Sequence, residues 1–197
     1  MERILLATEG PSEDAIGEIL LKHFLGGVTV DRKRFPARGI DIVRRAVPNL
    51  VRAAHFGYYD LLVIHFDLDD SVNTDIGMDI SASPRWQEIE QAVADGRSNC
   101  RPIMRVRDVE VVFMAGCQST DGWLCWGRDG GDGRQLERMS RHTTKEMLYG
   151  RPPRSVTDKA KGFTQQLITR LDTQDDKWPV SLRFFIGQLR RLIASDG

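Results

Sequence analysis

Along the first two thirds of the chain the apolar positions switch repeatedly between a strand rhythm and a helix rhythm. Arg3 to Thr8 is a short apolar run that breaks at Glu9-Gly10-Pro11, and Ser12 then precedes an amphipathic stretch, Asp14 to Leu25, closed by Gly26-Gly27. This predicts strand, turn and helix. Val28 to Phe35 alternates in part and is bounded by Pro36, after which Ile40, Val43, Ala46, Val47, Leu50 and Val51 recur at helical spacing up to Phe56. Pro48 lies inside that second helix and is expected to kink or split it.

Asp60 to Asp67, DLLVIHFD, is the strongest strand signal, a nearly continuous apolar run of the kind shown by parallel strands covered on both faces. It ends in acid, at Asp67, Asp69 and Asp70. Ser83-Pro84 opens a helix through Ala94, and Asp108 to Ala115 is a further strand that hands over to a helix near Asp121 to Trp126. Strands alternating with helices imply right-handed crossovers. The expectation is an α/β fold over residues 1–126: an open, mainly parallel four-stranded sheet with helices on both faces.

Residues 127–133, GRDGGDG, read as a loop that holds no regular element. Three helical patterns follow, at 134–148, 156–171 and 180–194, the second introduced by Ser155 and Asp158 as a capping box. Residues 127–197 are thus expected to form a helical C-terminal extension packed on the same domain.

Composition excludes several classes. The 28 basic and 28 acidic residues cancel, so the chain carries neither an acidic tail nor an overall basic coat for nucleic acid. The apolar start of MERILLATEG is too short for a secretory signal, and no window approaches the roughly 20 apolar residues needed to span a bilayer. A cytoplasmic protein without a membrane role is expected. Cys100, Cys117 and Cys125 form no CxxC pair and read as reduced core residues. Charge is nevertheless segregated: residues 67–95 hold eight acids against Arg85 alone, and residues 134–161 hold eight Lys or Arg against three acids. An acidic cluster beside a basic stretch suits a metal-dependent phosphodiester enzyme, since divalent ions need carboxylates and a phosphate backbone needs cations.

Ligands of open α/β sheets gather at the carboxyl ends of the strands. Glu9 ends the first strand, Glu13 lies in the first turn of the next helix, Asp67 and Asp69 end the third strand on one side of an extended chain, and Asp121 follows the fourth. These five oxygen ligands suit Mg²⁺ or Mn²⁺ rather than zinc. Other motifs are missing: there is no GxxxxGK[ST] loop, no GxSxG elbow, and the acids after Asp67 lack the glycine and the glutamate of a calcium loop. Trp123 and Trp126 have the spacing of a helix seated on a sheet, and core packing is expected in preference to base stacking.

The segments Thr8-Glu9-Gly10-Pro11-Ser12-Glu13 and Asp67-Leu68-Asp69, with Gln118 to Leu124 and Trp178 to Phe185, resemble the Toprim fold of topoisomerases, primases and small nucleases. More narrowly the chain is similar to the overcoming-lysogenization-defect nucleases and to small stand-alone Toprim-like proteins of bacterial defence or mobile-element loci. Asp121 stands where Glu is commoner in those proteins, and Gly122 where a helix-favouring Ala is usual. The resemblance implies a Mg²⁺-dependent nuclease acting on DNA or RNA. Asp67, Asp69 and Glu13 would hold the metal, and Glu9 would either ligate it or act as general base. It also implies a phosphate-facing cation, for which Lys159 is favoured over Arg151, Arg154 and Lys161, and an ATPase partner. The alternative is a non-catalytic Toprim-fold interaction subunit of an ATPase-containing complex.

Overall fold

Alternate residues of the central strands feed two separate cores, which is why β3 (Leu61–Asp67) reads as an unbroken apolar run. The computed structural model describes residues 1–35, 40–68, 80–100, 109–150, 156–172 and 177–195. β1 (Arg3–Thr8), β2 (Thr29–Arg34), β3 and β4 (Glu110–Gly116) form one open sheet in the order β2-β1-β3-β4, with every pair parallel. The α/β class, the four strands and their parallel pairing are those expected from the sequence.

Ile4 and Leu6 of β1, with Leu61 and Val63 of β3, point into the larger core. Helices α1 (Pro11–Leu25), α4 (Asp121–Asp129), α6 (Arg141–Tyr149), α7 (Val156–Leu171) and α8 (Val180–Ser195) all contribute side chains there. Leu5, Ala7, Leu62 and Ile64 point the other way, against α2 (Ile40–Phe56) and α3 (Pro84–Ser98). Among the described residues no helix is long and apolar enough to cross a membrane.

Three local expectations need correction. Helix α2 is not split at Pro48 but runs through it, and α3 crosses close by, since a Cβ on Gly96 would lie 3.0 Å from the Pro48 Cα. Residues 127–133 are not all loop: α4 extends to Asp129, and α5 (Gly133–Glu137) begins at Gly133, capped by the Asp132 carboxylate accepting from the Arg134 N–H. The turn between them is Gly130-Gly131-Asp132, its two glycines at φ values of 73° and 87° that L side chains rarely adopt. The single helix expected over 134–148 is two, because Ser140 caps a new helix, α6, by accepting from the Thr143 N–H. The Ser155 capping box lies outside the described residues.

The three cysteines are free and buried, as expected, and burial pushes the thiols of Cys117 and Cys125 up, which disfavours their thiolates. Trp123 and Trp126 are fully buried. Trp123 stacks on Phe185 and its Nε1–H donates to Ser181 Oγ at 2.7 Å, so this pair seats α4 in the core.

Candidate functional site

The chain leaves β1 outward to β2 and returns across it to β3, so the order reverses between β1 and β3. In open α/β sheets the carboxyl ends of two such strands are where ligands gather. Glu9 follows β1 directly. Glu13 sits one turn into α1, where a carboxylate is favoured by the positive end of the helix dipole. Asp67 closes β3, in register with Gly116 of β4.

These three acids converge on one cation that sequence reasoning did not single out. Arg141, the first residue of α6, brings Nη1 to 3.9 Å from Glu9 Oε2 and 3.5 Å from Asp67 Oδ2, and Nη2 to 3.6 Å from Glu13 Oε1. Asp67 is only 7 % exposed, yet among the described residues neither of its carboxylate oxygens has a hydrogen-bond partner. Beneath it His65, with no exposure at all, has Nε2 3.6 Å from Asp67 Oδ1, a long contact at the edge of hydrogen bonding.

Electrostatics separates the two glutamates. Burial lifts the Glu9 carboxyl above its ordinary range, the charges of Asp67 and Glu13 add to the lift, and His65 and Arg141 only partly offset it. Burial acts on Glu13 in the same direction but is outweighed there by His65, by the Ser12 hydroxyl donating at 2.7 Å, by a backbone N–H and by Lys145, so its carboxyl lies low. At His65 burial opposes the charge, but Asp67, Glu13 and Glu9 outweigh it and raise the imidazole above its usual value.

Other acids near the rim are already committed. Asp121 is buried, accepts from the Tyr149 hydroxyl at 2.9 Å and the Ser119 hydroxyl at 3.2 Å, and has its carboxyl raised by burial while Lys145 opposes. Both its oxygens are thus taken by neighbouring hydroxyls, although it stands within the field of Glu13. Asp14 accepts from Thr8 and pairs with Arg34 at 2.8 Å, tying the end of β2 to α1.

Of the residues expected to form the site, Glu9, Glu13 and Asp67 are brought together and Asp121 stands behind them with its own partners. Asp69, Arg151 and Arg154 lie outside the described residues. Lys159 does not reach the carboxylates: its Nζ donates to the Tyr149 carbonyl at 3.4 Å, at the end of α6. Lys161 is exposed on α7. Among the described residues Arg141 pairs with the acids, and Lys145, one turn on, lowers the Glu13 carboxyl through its charge. A signal for Arg141 exists in the sequence, since a basic residue just after an N-capping Ser opposes the helix dipole.

The donor set suits a hard divalent ion, being carboxylate oxygen with one member buried and unbonded. Among the described residues, however, no three Asp, Glu, His or Cys side chains are gathered tightly enough to hold a metal as they stand. Comparison with family models, with curated proteins and with solved structures returned no match.

Proposed function

We propose that this chain is a divalent-metal-dependent nuclease of the Toprim type, with its reaction centre at the carboxyl ends of β1 and β3. The observation that carries this reading is the convergence of Glu9, Glu13 and Asp67 at the point where the strand order reverses, with the Asp67 carboxylate buried and without a hydrogen bond among the described residues. The all-parallel four-stranded sheet and the Thr8-Glu9-Gly10 turn at the end of β1 support it.

Mg²⁺ or Mn²⁺, when bound, supplies the charge that polarises a phosphodiester and stabilises its leaving oxygen. Glu9, Glu13 and Asp67 are its ligands in this proposal, with Asp69 from the adjoining segment. Where Glu9 does not itself ligate the ion, its carboxylate, made more basic than usual by burial, takes the proton of the attacking water, and Glu13 is held ionised beside it. Asp121 orients Tyr149 and Ser119 behind the ligands. Lys145 is the cation proposed to meet the substrate phosphate, with Lys159 and Lys161 of α7 proposed to bind the nucleic-acid backbone beyond it; Arg151 and Arg154 keep that role from the sequence alone. A neutral chain grips a polyanion weakly, so the proposal includes an ATPase partner that holds the DNA or RNA, as in bacterial defence or mobile-element systems.

The test is cleavage of plasmid and single-stranded DNA in Mg²⁺ and in Mn²⁺ by the wild type and by Asp67→Ala. Metal-dependent cleavage that drops by roughly 10²-fold or more in the variant is expected. A second reading, the non-catalytic interaction subunit, is favoured by the pairing of Arg141 with all three acids; cleavage equal in the two proteins would overturn the assignment of the centre to Asp67, and no cleavage by either, alone or with the partner present, would favour the second reading.

A further inference from the structure

We propose that Arg141 is the resident cation of this site in the metal-free protein, and that a divalent ion enters only by displacing its guanidinium. The inference rests on the metal-site reading above and adds to it a competition built into the chain.

Geometry sets up the competition. Nη1 stands between Glu9 Oε2 and Asp67 Oδ2, 3.9 and 3.5 Å away, while Nη2 reaches Glu13 Oε1 at 3.6 Å. An ion held by Glu9 and Asp67 at about 2.0–2.6 Å from each oxygen needs the same two carboxylates that Nη1 now faces, so the two cations contend for one place. Two cations within roughly 4 Å of one another repel strongly in a site shielded from water, so occupancy by one excludes the other.

The guanidinium is also held loosely enough to leave. Among the described residues neither Asp67 oxygen has a hydrogen bond, the nearby guanidinium included, so its hold on Asp67 is Coulombic rather than a fixed bidentate pair. The Arg141 side chain is 34 % exposed, which leaves it a route to solvent. Its position in the first turn of α6, behind the Ser140 cap and with no acid in that turn, sets it against the helix dipole. Nothing in the helix itself therefore favours a cation at this position. What retains it there is the cluster of three carboxylates, whose mutual repulsion it relieves. Lys145, one turn further along α6, lies within the field of Glu13 and Asp121, so the departing guanidinium leaves a second cation near the rim.

Two consequences follow. Arg141 stabilises the metal-free fold, and it weakens the site's affinity for metal, so the centre fills only above a threshold of free divalent ion.

The experiment measures Mn²⁺ binding, from the loss of the free-ion EPR signal, together with the melting temperature in EDTA, for the wild type, Arg141→Gln, Arg141→Lys and Asp67→Asn. Arg141→Gln is expected to bind Mn²⁺ about tenfold or more tightly than the wild type, and to melt at a lower temperature in EDTA. Arg141→Lys, which keeps the charge but not the fork that spans three carboxylates, is expected to fall between them, and it carries the test should Arg141→Gln fail to fold. Asp67→Asn is expected to abolish binding. Equal or weaker Mn²⁺ binding in both Arg141 variants, with binding still lost in Asp67→Asn, would overturn the exchange and leave the metal site standing. Absence of Mn²⁺ binding in the wild type and in both Arg141 variants would overturn the metal site and the exchange together.

Discussion

Glu137 is a buried acid outside the carboxylate cluster, and it illustrates how this core accommodates charge. From α5 its oxygens accept the Val180 N–H at 2.9 Å, the Ser181 N–H at 3.1 Å and the Ser181 hydroxyl at 2.7 Å, so it caps α8 across the fold. Burial still lifts its carboxyl above the ordinary value of 4.5, with those bonds opposing. A native state that holds the proton more tightly than the unfolded chain is stabilised in full below about pH 4.5 and loses that contribution as pH rises through the folded value. Glu137→Gln cannot ionise, and it turns an amide N–H towards the Ser181 donors. It is expected to be less stable by about 1–3 kcal/mol, with the gap to wild type narrowing as pH rises above 4.5. Urea denaturation of both proteins across that range checks the sign; a widening gap would mean that hydrogen bonding to the ionised form outweighs its burial.

At the scale of elements, the sheet has two edges and protects them differently. β2 is exposed and carries Asp31, Arg32, Lys33 and Arg34, charges that discourage pairing with another chain. β4 is apolar and is covered instead: Gln188 of α8 donates from Nε2 to the Phe113 carbonyl at 2.9 Å and accepts from the Phe113 N–H at 3.1 Å. One side-chain amide thereby substitutes for a residue of a neighbouring strand. Gln188→Ala leaves both backbone groups without that partner and is expected to cost about 1–3 kcal/mol, with increased self-association visible in light scattering. Unchanged stability would show that water replaces the amide without penalty. The same covering role explains why α8 touches both cores, with Phe185 in the larger and Phe184 against the smaller.

For the whole molecule, the question is how far the C-terminal helices belong to the sheet domain. Leu167 of α7 and Leu182, Phe185 and Leu189 of α8 share one buried cluster with Ile4, Leu6 and Met114 of the strands. Phe185 is fully buried and stacked on Trp123 with ring centroids 5.8 Å apart. Phe185→Ala is expected to destabilise the entire fold by about 3–5 kcal/mol, in one cooperative transition seen equally by near-UV and far-UV circular dichroism. A separate early transition confined to helical signal would show that the extension folds apart from the sheet.

Much of this architecture is legible in the order of residues, because the periods of two and of 3.6 are local properties. β3 is continuous in apolar residues because both its faces are covered, and Glu9, Glu13 and Asp67 fall at strand ends that chain order alone brings to one side of a parallel sheet. Local pattern stops where distant segments meet. Gly127 reads as loop, yet it is helical because α7 crosses there so closely that a Cβ would stand 2.7 Å from the Leu167 Cα. Arg141 reads as one of eight cations in a basic stretch, and only the break between α5 and α6, with α6 seated against α4, points it at the carboxylates while Lys159 turns to the end of α6. The sequence by itself determined the layers and the acidic rim, whose causes act within a few residues. Only the tertiary structure decided which cation faces that rim, because charge pairing depends on distance in space, and helix packing, not spacing along the chain, sets that distance.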